Sequence, residues 1–299
     1  MNKLRNFLNH GSLSWLKKSD QKPLSELPPP FFCARDISEV HDYFYGYNVA
    51  TDPYLQSEGP LPGHCFVCRD EVLFEVDRPG DGTPVNWRET MRCPRCHLIN
   101  RWRSSLHLFE AVCHPDELDR IYITEALTPL AGHLSDLYPN LTSSEFLSDA
   151  RPGEVLQIHD RAITNQDVTQ LTFDEGSFDS ILTFDVLEHV PHYRRAVQEF
   201  YRVLDDGGHL ILTAPFSFQK DTWVRAIVND AGEIEHLMEP CYHGDPLSDE
   251  GVLAYYDFGM ELLDEFKAIG FEECFLACYA SNHWGYPAGN IAFVARKGR

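Results

Sequence analysis

The sequence predicts an α/β protein, a doubly wound sheet with a small metal-binding module ahead of it. Three observations carry this. Within Phe173–Pro215, Ser180–Phe184 is a short apolar run after an acidic turn, which reads as a buried parallel strand. Tyr193–Leu204 then carries Ala196, Val197, Phe200, Val203 and Leu204 at helical spacing, and Asp206-Gly207-Gly208 stops it before a second buried run, His209–Thr213. Strand, helix and strand make one right-handed βαβ unit. The second observation is that strand-like and helix-like runs keep alternating from Arg120 onward. The third is a pair of Cys-x-x-Cys motifs upstream, Cys65/Cys68 and Cys93/Cys96. Together they give a Rossmann-like sheet with an N-terminal zinc-ribbon module.

Each element follows in order. Residues 1–30 read as a flexible segment with a basic tint (Lys3, Arg5, Lys17, Lys18, Lys22), ending in the stiff Pro28-Pro29-Pro30. Leu4, Phe7, Leu8, Leu13, Trp15 and Leu16 make at most a weak amphipathic patch there. Residues 31–112 read as the ribbon with flanking helices, Ile37–Tyr47 and Arg101–Val112. The main domain, 113–299, opens with strand Ile121–Thr124, helix Leu130–Tyr138 and strand Leu141–Phe146. Residues 147–166 hold too much Gly, Pro, Asp and Asn for a helix. A third strand or turn is expected around Asp167-Val168. After the opening motif, Met260–Ile269 is a helix stopped by Gly270, and Phe271–Cys278 with Asn290–Arg296 form a closing hairpin.

The totals bound the partners. A formal charge of −21 argues against a broad nucleic-acid face. No apolar run has the length of a membrane span, and Met1–Lys22 lacks the apolar core of a signal peptide. Nine cysteines are an odd number for a disulfide framework, and four of them sit in the two pairs. A reducing cytoplasm and a bound metal fit that usage.

Four thiolates in a tetrahedron suit zinc, and each Cys-x-x-Cys turn offers two sulfurs on one side of the ion. With 24 residues between the pairs, Val72–Val76 and then Pro79–Gly82 read as a hairpin inside a zinc ribbon. Rubredoxin-like iron or a redox pair are the alternatives the spacing leaves open. His64 and His97 flank the pairs and are not needed as ligands. Arg92, Arg95, Arg101 and Arg103 cluster nearby, read as a face toward an acidic neighbour rather than a polynucleotide grip.

The run Phe173–Pro215, with its Leu187-Glu188-His189-Val190, resembles the second half of class I S-adenosylmethionine (SAM) dependent methyltransferases. More narrowly, Thr124-Glu125, Thr128-Pro129-Leu130, Ser144-Glu145-Phe146-Leu147 and Tyr242-His243-Gly244-Asp245-Pro246 resemble a subgroup of zinc-ribbon methyltransferase-like proteins. The resemblance covers about Cys65 to the C-terminus. It implies SAM as cofactor. Glu145 would accept from the ribose hydroxyls, Asp167 would bind the adenine amine, and Val168 would lie beside the ring. Phe184 and Asp185 would line the methionine part, and Glu125 would sit near its ammonium, with Thr128 in the same loop. The sequence departs from the usual pattern in one place: Ile123–Ala131 has no glycine-rich loop.

For chemistry, His243 is the first candidate for a base or acceptor contact, with Tyr242 and Asp245 beside it. His189 and His236 compete, His189 reading first as a structural residue at a helix start and only then as a catalytic one. Asp185, Glu188 and His189 fall at i, i+3 and i+4, so one helical turn would present them together. Some small-molecule and RNA 3′-end methyltransferases carry Glu-x-x-Glu-His here and hold a divalent ion. That resemblance implies Mg²⁺ or Mn²⁺ at Asp185, Glu188 and His189. The expected function is methyl transfer to an oxygen or nitrogen of a small molecule, glycan or natural-product intermediate. The alternatives are a zinc-ribbon RNA methyltransferase and a non-catalytic binding module that kept the fold. A homodimer is left open.

Overall fold

Four parallel strands and an antiparallel edge make up the main sheet, and the chain reaches them by way of the cysteine module. The structure, a computed structural model, describes residues 27–45, 52–158, 160–245 and 248–299. The expectations on residues 1–26, Tyr47 and Pro246 lie outside these.

The chain begins with β1 (Phe31–Ala34) and α1 (Ile37–Phe44), the latter capped by Asp36, whose side chain accepts from the Glu39 N–H. β2 (Leu61–Cys65), β3 (Asp70–Val76) and β4 (Met91–Arg92) form a small antiparallel sheet, with α2 (Trp87–Thr90) just before β4. The expected hairpin between the cysteine pairs is therefore different: Val72–Val76 pairs mainly back onto β2, and only Glu75 and Val76 meet β4. α3 (Asn100–Cys113) leads to β5 (Ile121–Ile123), α4 (Pro129–Leu137) and β6 (Leu141–Ser143). β7 (Val155–Ile158) and β8 (Arg161–Thr164) make a separate hairpin in the segment that sequence excluded from helix. β9 (Phe178–Phe184), α5 (Tyr193–Val203) and β10 (Leu204–Thr213) are the βαβ unit.

Beyond it come short strands β11 (Trp223–Val224), β12 (Ala226–Val228), β13 (Ile234–His236), β14 (Tyr242–Asp245), β15 (Ser248–Leu253) and β16 (Tyr256–Asp257). α6 (Glu261–Ile269) then precedes the hairpin β17 (Phe271–Ser281) and β18 (Tyr286–Lys297).

The main sheet runs β1-β17-β18-β10-β9-β5-β6. β10, β9, β5 and β6 are parallel, and β18, β17 and β1 continue antiparallel, so the sheet is mixed. This is an α/β Rossmann-like architecture. Of the strand or turn expected around Asp167-Val168, the structure holds a turn, in which the Gln170 N–H donates to the Asp167 carbonyl at 2.8 Å. A single parallel bridge, Glu145 to Asn165, extends the β6 edge there. The reason is local: the Asn165 side chain accepts from the Leu147 N–H and donates to the Ala150 carbonyl, which turns the chain before a ladder can grow.

Alternation along the strands explains the layers. Tyr122, Ile181, Leu210 and Leu212 face α5 and α6, among Val197, Phe200, Leu262 and Phe266. Ile121, Ile123, Leu182 and Ile211 face α3 and α4, among Leu106, Phe109, Leu130 and Leu134. α3 directly follows the second cysteine pair, so one helix serves both the ribbon and the sheet.

The ribbon docks on the β17–β18 turn. The His64 N–H donates to the His283 carbonyl at 2.6 Å. A Cβ at Gly63 would stand 2.8 Å from that carbonyl oxygen, so this approach requires glycine. Arg103, fully buried, donates to the carbonyls of Trp284 and Gly285 and lies over the Phe74 ring.

Candidate functional site

In open α/β sheets, ligands sit beyond the carboxyl ends of the parallel strands. Here those ends are Thr124-Glu125 after β5, Ser144-Glu145 after β6 and Asp185 after β9. The Thr124 hydroxyl donates to the Thr183 hydroxyl at 2.9 Å, which ties two of these ends together. Glu125 is buried, and its Oε1 has no hydrogen-bond partner. Burial pushes its carboxyl up to about 8, so it is largely protonated at neutral pH.

The loop after β5 is held in an unexpected way. Glu145 Oε1 accepts from the backbone N–H groups of Ala126 and Leu127, both at 2.9 Å. Those two amides are thus turned to a side chain of the neighbouring strand. Thr128 caps α4 by accepting from the Ala131 N–H at 3.2 Å, with Pro129 at the first helical position. Asp167 accepts from the Thr169 N–H and hydroxyl, and the adjacent Val168 is buried. Phe184 is buried at the end of β9.

Asp185 departs from its expected surroundings. Its φ is +55°, in the left-handed region, and residues 187–189 form only a single 3₁₀ turn. The side chain points to Arg88, which grips it through two nitrogens at 2.7 and 2.5 Å. Arg101 Nε lies 3.2 Å away, and the Thr213 hydroxyl donates to it at 2.9 Å. Arg101 also holds Glu89 at 2.9 and 3.1 Å. Burial alone would raise the Asp185 carboxyl. The two guanidinium groups outweigh burial and hold it well below the usual carboxylate range. The Mg²⁺ face expected from Asp185, Glu188 and His189 is therefore not assembled, because Asp185 is turned away and neutralised by arginine. Arg88 was missed by sequence reasoning, since nothing local marks it. Of the other arginines, Arg101 does meet the main sheet's acids, while Arg92 pairs with Glu75 and Arg95 with Asp70 inside the ribbon.

Glu188, His189 and His243 do come together. Glu188 is fully buried, and neither carboxylate oxygen has a hydrogen bond of good geometry. His243 Nδ1 lies 3.4 Å from Glu188 Oε1, and His189 Nε2 lies 3.7 Å from it. The two ring nitrogens are 3.2 Å apart. His189 Nδ1 is 2.9 Å from the Leu253 carbonyl, which can only accept, so this nitrogen carries a proton. With His189 neutral, His243 Nδ1 donates to His189 Nε2, and the lone pair of neutral His243 is on Nε2. The Glu188 carboxyl is raised by burial, and its proximity raises His243. Tyr242 is exposed beside His243, and Asp245 closes the same short strand. His236 is exposed on β13 and does not join the cluster.

The four cysteines converge as expected. Cys65 Sγ is 3.9 Å from Cys96 Sγ, and Cys68 Sγ is 3.7 Å from Cys93 Sγ. A tetrahedron of Zn–S bonds about 2.3 Å long has edges of roughly 3.8 Å, so the cluster is compatible with zinc. Each knuckle ends alike: the Arg69 N–H donates to the Cys65 carbonyl and the His97 N–H to the Cys93 carbonyl, both residues with positive φ.

Residues 125–212, from the end of β5 to β10, match the model of the methyltransferase domain family. No curated protein matches the chain. Similar solved structures include a SAM-dependent methyltransferase from Mesorhizobium loti, at 14% identity and a TM-score of 0.41, covering 68% of this chain and all of that one. The 1,6-didemethyltoxoflavin-N1-methyltransferase of Burkholderia thailandensis has 15% identity and a TM-score of 0.39, covering 66% of this chain and 78% of that one. No described helix is long and apolar enough to cross a membrane.

Proposed function

We propose that the protein is a SAM-dependent methyltransferase that acts on an oxygen or nitrogen of a small molecule, glycan or natural-product intermediate, with a structural zinc in its ribbon. One observation carries the reading: the segment matching the methyltransferase domain opens at the carboxyl end of β5 and takes in β6, β9 and nearly all of β10, and buried Glu125 presents an unpartnered oxygen at that end. That donor set fits SAM, whose ammonium needs a carboxylate and whose ribose needs acceptors. Glu125 and Thr128 would hold the methionine end with Phe184 and Asp185, Glu145 the ribose hydroxyls, and Asp167 and Val168 the adenine. The cofactor supplies an electrophilic methyl on a sulfonium.

The chain supplies a base. His243 Nε2 would take the proton that the acceptor oxygen or nitrogen gives up on methylation. Glu188 stabilises the imidazolium that results, His189 fixes the ring's tautomer, and Tyr242 borders the acceptor. A second reading rests on spacing. A tetrahedral ion with bonds of about 2.0–2.1 Å sets its ligand atoms roughly 3.3–3.4 Å apart, and Glu188, His189 and His243 lie 3.2–3.7 Å apart. Two imidazoles and a carboxylate suit Zn²⁺ or Mn²⁺ better than Mg²⁺.

Calorimetry with S-adenosylhomocysteine (SAH) tests the first reading: binding in the micromolar range is expected, and none at millimolar ligand overturns it. Mn²⁺ titration separates the second, since a saturable site lost in Glu188→Gln supports the ion and no uptake leaves His243 as the base.

A further inference from the structure

We infer that Arg88 and Arg101 bind the carboxylate of the cofactor's methionine part, so that the ribbon side of the chain completes a cofactor site the methyltransferase segment leaves open. This rests on the SAM reading above and deepens it.

The argument starts from charge. The methionine end of SAM is a zwitterion, and a zwitterion taken out of water needs a partner for each end. Glu125 answers the ammonium. The carboxylate needs donors, ordinarily found in backbone amides at the mouth of a loop or helix. Here the loop after β5 has no glycine to let a ligand approach its backbone. The amides of Ala126 and Leu127 are already engaged by Glu145.

The cations at this rim come instead from outside the matched segment. Arg88 lies on α2 and Arg101 on α3. Both reach Asp185, at the carboxyl end of β9. The Arg101 charge is also felt at Glu125, where it opposes the effect of burial. Arg101 therefore acts on both acids proposed for the methionine part, Asp185 and Glu125, and Arg88 holds the first. Arg88 keeps 35% of its side chain exposed, whereas Arg101 at 15% is the fixed member. The two arginines already meet two carboxylates, Asp185 and Glu89. Arginine suits this task because a guanidinium carries five N–H donors, so Arg88 and Arg101 can meet a further carboxylate beside Asp185 and Glu89.

The test compares two ligands. SAH carries both amine and carboxylate, and its decarboxylated analogue keeps only the amine. By calorimetry the wild type should prefer SAH by about tenfold to a hundredfold, the range of charge-assisted hydrogen bonds to a carboxylate. Arg88→Gln and Arg101→Gln should each lose most of that preference through weaker SAH binding, while affinity for the analogue changes less than about threefold. Retained analogue binding shows that the variants are folded. If either glutamine variant melts early, Arg88→Lys or Arg101→Lys replaces it, with a smaller loss of preference expected. Equal binding of both ligands by the wild type, or an undiminished preference in the variants, overturns the proposal. A wild type that binds neither ligand overturns the cofactor reading itself.

Discussion

Arg88 holds Asp185 by both terminal nitrogens of its guanidinium group, Nη1 on Oδ2 at 2.7 Å and Nη2 on Oδ1 at 2.5 Å. The two residues are 97 positions apart, and the contact joins the ribbon to the end of β9. The two sides of the pair are not equivalent. Removing Arg88 leaves Asp185 with Arg101 and the Thr213 hydroxyl. Removing Asp185 leaves two arginines near each other with only Glu89 between them. Arg88→Ala should therefore cost about 1 kcal/mol and Asp185→Ala about 3 kcal/mol, the scale for orphaning one side of a buried pair. Urea unfolding measures both, and equal costs contradict the asymmetry. The pair's contribution is present above the ordinary carboxylate value, about 4, and is lost as pH falls below it, since Asp185 is depressed in the folded state.

The ribbon's own core is small: Leu55, Leu61, Val72, Phe74, Trp87 and Met91 around the cysteines. A core of this size does not hold a fold without a staple. Metal analysis should find about one zinc per chain, as four thiolates require. Stripping it with a chelator, or Cys93→Ser, should unfold the ribbon and release the dock of Arg103 on Trp284 and Gly285. Tryptophan fluorescence follows this through Trp87 and Trp284. Unchanged emission after complete metal removal would sink the structural role.

What the sequence disclosed follows from how local each signal is. α5 was legible because Ala196, Val197, Phe200 and Val203 repeat at helical spacing, and all four are buried. The cysteine cluster was legible because each pair carries its own turn. The choice between strand and turn at Asp167-Val168 was not, because Asn165 satisfies neighbouring backbone groups with its side chain, which composition does not reveal. Asp185 was placed correctly at a strand end but on the wrong face. Helical spacing to Glu188 and His189 assumed a helix, and a positive φ at Asp185 breaks it. Arg88 was invisible because its meaning lies in a partner far along the chain. The Glu188–His189–His243 cluster was half legible: each member stood in a motif, but their meeting depends on β14 and β15 folding back over the turn at Leu187–His189.

The proposed pairing of Glu125 with the cofactor ammonium predicts an affinity that depends on pH. Its carboxyl titrates at about 8 in the folded protein because it is buried. The folded state thus keeps a proton that the unfolded chain releases near pH 4.5, and stability falls as pH rises between those values. A ligand ammonium reverses the preference by favouring the carboxylate. SAH affinity should rise with pH below 8, by up to about tenfold per unit, and binding should release a proton. Calorimetry in buffers of different ionisation enthalpy counts that proton. In Glu125→Gln the proton release should vanish; if it persists, the group responsible is another.

The pH dependence of turnover tests His243. The adjacent Glu188 carboxylate raises His243 above the ordinary histidine value. A base must be neutral to accept a proton, so kcat should climb with pH and level off above that raised value. Glu188→Gln removes the charge but keeps the shape, and the rising limb should move to lower pH while the plateau falls, because the imidazolium formed in the reaction loses its partner. His243→Ala should lower kcat by about a hundredfold or more, in the range for loss of a general base, with little change in SAH affinity. His189→Ala acts differently: it frees the Leu253 carbonyl and lets the His243 ring choose its tautomer, so kcat should drop less and the limb should stay in place. A limb that ignores Glu188→Gln would move the proton transfer away from this cluster and leave Glu188, His189 and His243 to the metal reading.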